Sequence, residues 1–178
     1  MEPAVFIEGE PSATANDVEY VTVSLMDPTL LTTVESLTGR LKTDGSLVLN
    51  YTVAASSNSY YIKVKTRNLI ETWSGTPVIL GPVTNYDFSN NNLKAYQDIN
   101  NTFTQQYEVE PGVWAMYNGD VNQDGTIDGQ DFNDTETDVN NFAFGYFATD
   151  IFNAGPVDGQ DFNQLELNSG FFLFVAHP

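Results

Sequence analysis

Tyr60–Arg67 reads YYIKVKTR. Tyr60, Ile62 and Val64 fall on one side of an extended chain, and Lys63, Lys65 and Arg67 on the other. Alternation of this kind predicts a strand with one buried face. The same grammar runs through EYVTVSLM, with Val21, Val23 and Leu25 in step, and through SLVLNYTV, with Leu47, Leu49, Tyr51 and Val53. Thr43-Asp44-Gly45 supplies a turn ahead of Leu47, because glycine tolerates positive φ. Further short strands are expected around Val5–Glu8, Val78–Leu80, Gln106–Val109 and Val113–Tyr117, while the Asn-rich NYDFSNNN (Asn85–Asn92) reads as an exposed loop. Short strands punctuated by Gly, Pro, Asn and Asp, about seven in all, predict a sandwich.

The charge is lopsided. The 178 residues carry 6 Lys+Arg against 24 Asp+Glu, a formal net charge of −18 at pH 7. Nucleic-acid affinity rests largely on cationic contacts to phosphate, so a nucleic-acid partner is not expected. Hydrophobic residues make up 41% and aromatic residues 13%, too much for a disordered acidic tail. Cysteine is absent, which removes disulfides, thiolate nucleophiles and Cys-ligated zinc. The N-terminal MEPAVFIEGEPS has neither a basic nor an apolar segment of a signal peptide. It reads as a processed fragment with an added Met, or as a product that never used that export route. The strongly apolar uncharged stretch LNSGFFLFVAHP falls well short of the ~20 residues of a membrane helix, so membrane insertion is not expected.

All six cations (Arg40, Lys42, Lys63, Lys65, Arg67, Lys94) precede residue 95, and from Asn118 onward acids stand without any Lys or Arg. This shift divides the chain near Tyr117, into a β-domain at 1–117 and a second unit at 118–178.

The second unit is the more specific. Asp120–Asp131 reads DVNQDGTIDGQD, with Asp120, Asn122, Asp124, Asp128 and Asp131 at loop positions 1, 3, 5, 9 and 12. Gly125 stands at position 6, Thr126 at 7 and the apolar Ile127 at 8. This is the pattern of a twelve-residue calcium loop. A hard cation wants about six to eight oxygens, and a loop that wraps it turns alternate side chains inward, with the Thr126 carbonyl added. Carboxylates this crowded repel one another without a cation. IDGQDFN (Ile127–Asn133) then recurs as VDGQDFN (Val157–Asn163), 30 residues on. The alignment puts Asp150, Asp158 and Asp161 at positions 1, 9 and 12 and the Pro156 carbonyl at 7, but Phe152 and Ala154 at 3 and 5. Asn153, at position 4, is a substitute donor if the loop shifts. Either these groups form a second, weaker calcium site, or the loop is a metal-free remnant kept for packing. Short helices are expected at Gln130–Asn140 and Gln160–Asn168, turning Phe132 and Phe162 toward a shared core.

These residues carry a resemblance. A calcium loop followed by a helix, repeated once, resembles the dockerin repeat, a duplicated EF-hand-type loop without the entering helix. Across roughly residues 18–178 the chain resembles a C-terminal region common in secreted and surface proteins of Bacteroidota. The resemblance rests on YYIKVKTRNLIETWS (Tyr60–Ser74), YDF (Tyr86–Phe88), YNGDVNQDGTIDGQD (Tyr117–Asp131) and the terminal FLFVAHP. It implies a β-domain of immunoglobulin or transthyretin type packed on a small dockerin-like calcium unit. Cohesin-binding dockerins often carry hydroxyl residues at positions 10 and 11. Here those positions are Gly129-Gln130 and Gly159-Gln160, which argues against a cohesin partner. No export-sorting tail is recognisable after Phe174.

Catalytic signals are few. His177 is the only histidine and the penultimate residue, which argues against a Ser-His-Asp triad or an HExxH zinc site. GxSxG, GxxxxGK and GxGxxG are absent. Paired carboxylates of the glycosidase kind stay open, but calcium accounts for most of the clustered acids. The chain reads as a non-enzyme. Trp73 offers either core packing or a sugar platform. Lys63, Lys65 and Arg67 offer either an anion-binding face or solvation of a strand. Asn50-Tyr51-Thr52 matches a glycosylation pattern, as chance alone allows in so Asn- and Thr-rich a chain. Gly170–Pro178 is either an exposed anchor or a cover packed back on the fold.

The expectation is a calcium-stabilised structural or adhesion module of an extracellular or cell-surface assembly, with other proteins of that assembly as partners. A bacteriophage fibre or decoration protein, located in the virion, is the alternative. A third reading is a glycan-binding sandwich, with Trp73 and the nine tyrosines as platforms.

Overall fold

Val21, Val23, Leu25, Ile62 and Val64 are all buried, so the apolar positions of the alternation face the core, although Ser24 between Val23 and Leu25 is buried as well. The structure, a computed structural model, describes residues 2–4, 19–42, 44–53, 58–98 and 105–178. Its strands are β1 (Glu2–Ala4), β2 (Tyr20–Met26), β3 (Thr33–Arg40), β4 (Ser59–Lys65), β5 (Thr72–Trp73), β6 (Val78–Ile79), β7 (Asn85–Asp87), β8 (Gln106–Glu110) and β9 (Val113–Met116). Two helices follow, α1 (Gly129–Asn140) and α2 (Gly159–Ser169). The fold is mainly β. The main sheet runs β3-β2-β4-β5, with β6 also paired to β4, and its ladders are antiparallel. β8 and β9 form an antiparallel hairpin, and β1 lies parallel to β7. Among the described residues no helix is long and apolar enough to cross a membrane.

The strand expected at Val5–Glu8 lies outside the described residues, as does Thr43 of the expected turn. Three other expectations need correction. Leu47, Leu49 and Tyr51 are buried in alternation as expected, yet their segment joins no ladder. The amides of Thr52 and Val53 donate instead to the Glu35 carboxylate, at 2.9 and 3.2 Å, and the Tyr51 hydroxyl donates to the Val23 carbonyl at 2.6 Å. Asn85–Asn92 is not simply a loop. Asn85–Asp87 is β7, and Tyr86 and Phe88 are buried against each other with ring centroids 4.8 Å apart. Arg67 lies beyond the end of β4 rather than on its outer face.

Two cores result. One gathers Val21, Val23, Leu25, Ile62, Val64, Leu69, Phe88 and Met116, and the other gathers Ile70, Tyr117, Val121, Ile127, Ile151, Leu165 and Leu173. Leu69 and Ile70 are chain neighbours that enter different cores, and so are Met116 and Tyr117. The Ile70 amide donates to the Tyr117 carbonyl at 2.9 Å, so the two crossings are joined to each other. This junction sets the first acidic loop against the turn that follows β4.

Candidate metal centre

The first loop leaves β9 through Tyr117, Asn118 and Gly119. Gly119 takes φ +118°, and a Cβ there would stand 2.9 Å from Cδ1 of Leu165, so both conformation and space require glycine. From Asp120 the acidic residues fold the loop by capping its own amides. Asn122 Oδ1 accepts from the Asp124 amide at 2.8 Å. Asp124 Oδ1 accepts from the Thr126 amide at 3.0 Å and from its hydroxyl at 2.7 Å. Asp120 Oδ2 accepts from the Gly125 amide at 3.2 Å, and Gly125 makes the turn with φ +94°. Ile127 is buried in the second core, which anchors the loop.

The loop ends in a capping box. Asp128 is the N-cap of α1, accepting from the Gln130 amide at 2.8 Å, and Asp131 reaches back to the Asp128 amide at 2.9 Å. Oδ1 of Asp131 also accepts from the amides of Val121 and Asn122, at 2.9 and 3.2 Å.

Two buried oxygens of the loop, Asp120 Oδ1 and Gln123 Oε1, have no hydrogen-bond partner among the described residues, and Asp120 is only 1% exposed. Burial pushes its carboxyl up to about 7, and the neighbouring charges of Asp131 and Asp124 push the same way. Burial also raises Asp131, against the three amides that lower it. The exposed Asp124 is lowered, chiefly by the Thr126 hydroxyl. A buried carboxylate with an unmatched oxygen is costly unless a cation accompanies it. Among the described residues no three His, Cys, Asp or Glu side chains converge as a finished metal site. The loop's donor set is mixed, however, with the Asn122 amide oxygen and the Thr126 carbonyl beside the carboxylates. Its all-oxygen chemistry fits a hard cation.

The second loop is built alike and differs at this point. Asp150 is buried too, but its Oδ1 accepts from the Ala154 amide and its Oδ2 from the Gly155 amide, both at 2.9 Å. Without a side-chain acceptor at position 3, the position-5 amide turns to Asp150 and satisfies it. Asp158 caps α2 and Asp161 accepts from the amides of Ile151, Phe152 and Asp158, as in the first loop. Asn153, the possible substitute donor, turns its Oδ1 to Arg67 at 3.0 Å. The Pro156 residue forms a bridge with Phe144.

The repeat reaches further than its motif. Ile127 donates to the Leu173 carbonyl at 3.0 Å and Val175 to the Gly125 carbonyl at 2.8 Å. At 30 residues' offset, Val157 donates to the Ala143 carbonyl at 2.9 Å and Gly145 to the Gly155 carbonyl at 2.6 Å. Each repeat's tail therefore pairs with the other repeat's loop. The rings of Phe132 and Phe162 meet between the helices, centroids 5.3 Å apart. The terminal segment packs back on the fold: Leu173 and Ala176 are buried, and the Ala176 amide donates to Gln105 at 3.1 Å.

The turn after β4 holds both loops, a role that the sequence did not reveal. Arg67 donates from Nε to Glu19 at 3.0 Å and from Nη1 to the Phe147 carbonyl, with its guanidinium 4.4 Å from the Tyr146 ring centre. Asn68 accepts from the Gly119 amide at 2.8 Å and donates to the Ala148 carbonyl at 3.1 Å. Leu69 accepts from the Gln123 side chain at 3.1 Å. Trp73 is 5% exposed, its indole N–H donating to Glu71 at 2.8 Å and its ring flanked by Tyr61, Lys63 and His177. It packs rather than presents a platform. In comparisons with known proteins, no family model, curated protein or solved structure matches the chain.

Proposed function

We propose that the chain is a non-catalytic, calcium-stabilised module of an extracellular or cell-surface assembly. In this reading a β-sandwich is joined to a dockerin-like pair of loop–helix units, and the ion stiffens the surface that the pair presents. The observation that carries it is Asp120 Oδ1, buried and without a hydrogen-bond partner among the described residues, within a loop of oxygen donors. Asp120, Asn122, Asp124, Asp128 and Asp131 would supply side-chain oxygens, and Thr126 its carbonyl. That carbonyl is left out of the tail pairing, which uses the Gly125 carbonyl and the Ile127 amide. The bound ion supplies positive charge to a loop that lacks it. The second loop, with both Asp150 oxygens engaged by amides, supports the reading of a metal-free remnant.

Calorimetric titration of chelator-treated protein tests this. One ion per chain is expected. An ion that binds only the folded state adds about 2.7 kcal/mol at a hundredfold excess over Kd. For a chain of this size that amounts to a rise in Tm of roughly 5–11 °C. Absence of uptake at millimolar calcium would overturn the reading.

A further inference from the structure

Residues 139–149, between Asp138 and Asp150, carry no charge, in a unit that otherwise holds acids and neither Lys nor Arg. Within them Phe142, Phe144 and Tyr146 are 89%, 75% and 58% exposed. Phe142 stands just past the end of α1, where its amide donates to the Val139 carbonyl and that of Ala143 to the Asp138 carbonyl, at 3.1 and 3.0 Å. This helix stop usually takes glycine, because it needs positive φ, yet Phe142 holds φ +54° with its ring in water. Neither the conformation nor the exposure benefits the fold. The backbone beneath is nevertheless fixed to the second loop. Val157 donates to Ala143 and Gly145 to Gly155, and a Cβ at Gly155 would stand 3.3 Å from the Phe144 ring. The Tyr146 ring lies over the Arg67 guanidinium. Amides already satisfy Asp150, so this frame needs no ion to present its rings.

We infer that this aromatic segment is a contact surface for a second copy of the chain, ring against ring about a twofold axis. Charge selects that occupant. The flanking carboxylates are turned to their own chain, Asp138 to the Thr149 hydroxyl at 2.6 Å and Asp150 to its amides. A basic partner finds no charge on the segment to read, whereas an acidic copy can approach it without like charges meeting there. Area sets the strength. At roughly 200 Å² for each side chain fully bared, the three leave on the order of 400 Å² uncovered. Two such surfaces together remove about 800–900 Å² from water, the range of weak and reversible contacts. Chains of formal charge −18 repel each other at longer range, so association tightens as salt screens them. None of this depends on an ion in the first loop.

Analytical ultracentrifugation of the full chain, from micromolar to millimolar concentration at low and high salt, tests this. A monomer–dimer equilibrium is expected, roughly three- to tenfold tighter at high salt. Phe142→Gly should weaken it at least about tenfold, since the ring sits at the centre of the contact. Its Tm should stay at or above that of the wild type, because glycine holds positive φ without strain. Phe172→Gly makes the same change 30 residues on, at φ +53°. There the next ring, Phe174, is only 37% exposed and Ala176 replaces Tyr146, so Kd should stay within about twofold of wild type. A second readout uses the wild type alone: concentration-dependent amide shifts in its NMR spectrum should centre on residues 142–146. A monomer throughout, association that loosens with salt, or equal Kd changes in the two variants would each overturn the inference. So would shifts that move elsewhere and leave residues 142–146 unmoved.

Discussion

Arg67 donates from Nη2 to Oδ1 of Asn153 at 3.0 Å, and through that bond the strand-rich part of the chain grips the second loop. The same guanidinium meets Glu19, the Phe147 carbonyl and the Tyr146 ring. With the Ile70–Tyr117 bond and the adjacent crossings between cores, this leaves no flexible linker between the two units. NMR relaxation should therefore give one correlation time for both. Arg67→Ala removes one partner of a largely buried ion pair and should cost ~2–4 kcal/mol. Clearly separate correlation times in the wild type would refute the rigid junction.

The two loops should respond differently to loss of a carboxylate. Asp124 is exposed and makes its hydrogen bonds within its own loop, so Asp124→Ala should abolish most of the stability that calcium adds. Asp158 is the N-cap of α2 and half of a capping box. Asp158→Ala should then cost ~0.5–2 kcal/mol, with calcium or with chelator alike. Thermal melts of both variants in each condition check this. A loss in Asp158→Ala that vanishes under chelation would show that the second loop holds an ion after all.

Alkaline pH should reveal the buried phenols. Burial raises the hydroxyls of Tyr51 and Tyr86, each also donating to a carbonyl at 2.6 Å. Tyr146 is pushed up to about 12, by burial first and then by its bond to Glu19. An unfolded tyrosine ionises near pH ~10, so above that pH the unfolded chain has lost protons that the folded chain keeps. Stability must fall as pH rises through this window. Ultraviolet titration should show fewer tyrosinates in the native protein than in urea, and matching curves would contradict it.

How much of this was legible depended on whether the backbone followed the side chains. β4 is legible because its buried residues alternate, and β2 because Val21, Val23 and Leu25 are buried in step even though Ser24 and Met26 are buried beside them; their backbones pair. Leu47–Tyr51 alternates as well, but Glu35 satisfies the amides that follow it, and no periodicity reports that. β3 carries no such signature, for the opposite reason. Its residues are exposed or half-buried, and pairing with β2 rather than an apolar face of its own holds it in the sheet. The helices were placed within a residue, because Asp128 and Asp158 cap helices at the ends of their loops. Missing oxygens at positions 3 and 5 marked the second loop as weak, yet only geometry shows amides satisfying Asp150. Parity places Arg67 with Lys63 and Lys65, but parity stops counting once the strand ends at Lys65.

The C-terminal tail should contribute to calcium affinity without touching the ion. Val175 donates to the carbonyl of Gly125, the turn glycine between Asp124 and Thr126, and Leu173 accepts from Ile127 just beyond. Further along, Ala176 is tied to Gln105, and the His177 ring lies 5.8 Å from that of Trp73. The tail thus holds the middle of the first loop against the strand-rich unit. Removing Val175–Pro178 would leave the ion to order that turn itself. A net loss of one or two hydrogen bonds, at about 1 kcal/mol each, corresponds to roughly a five- to thirtyfold weaker Kd. Val175→Pro deletes the single donor while keeping the chain length, and should give the smaller part of the loss. Calorimetric titration of both variants separates the contributions. If the truncated chain binds calcium as tightly as the wild type, the loop is preformed without its tail and the pairing is only cover.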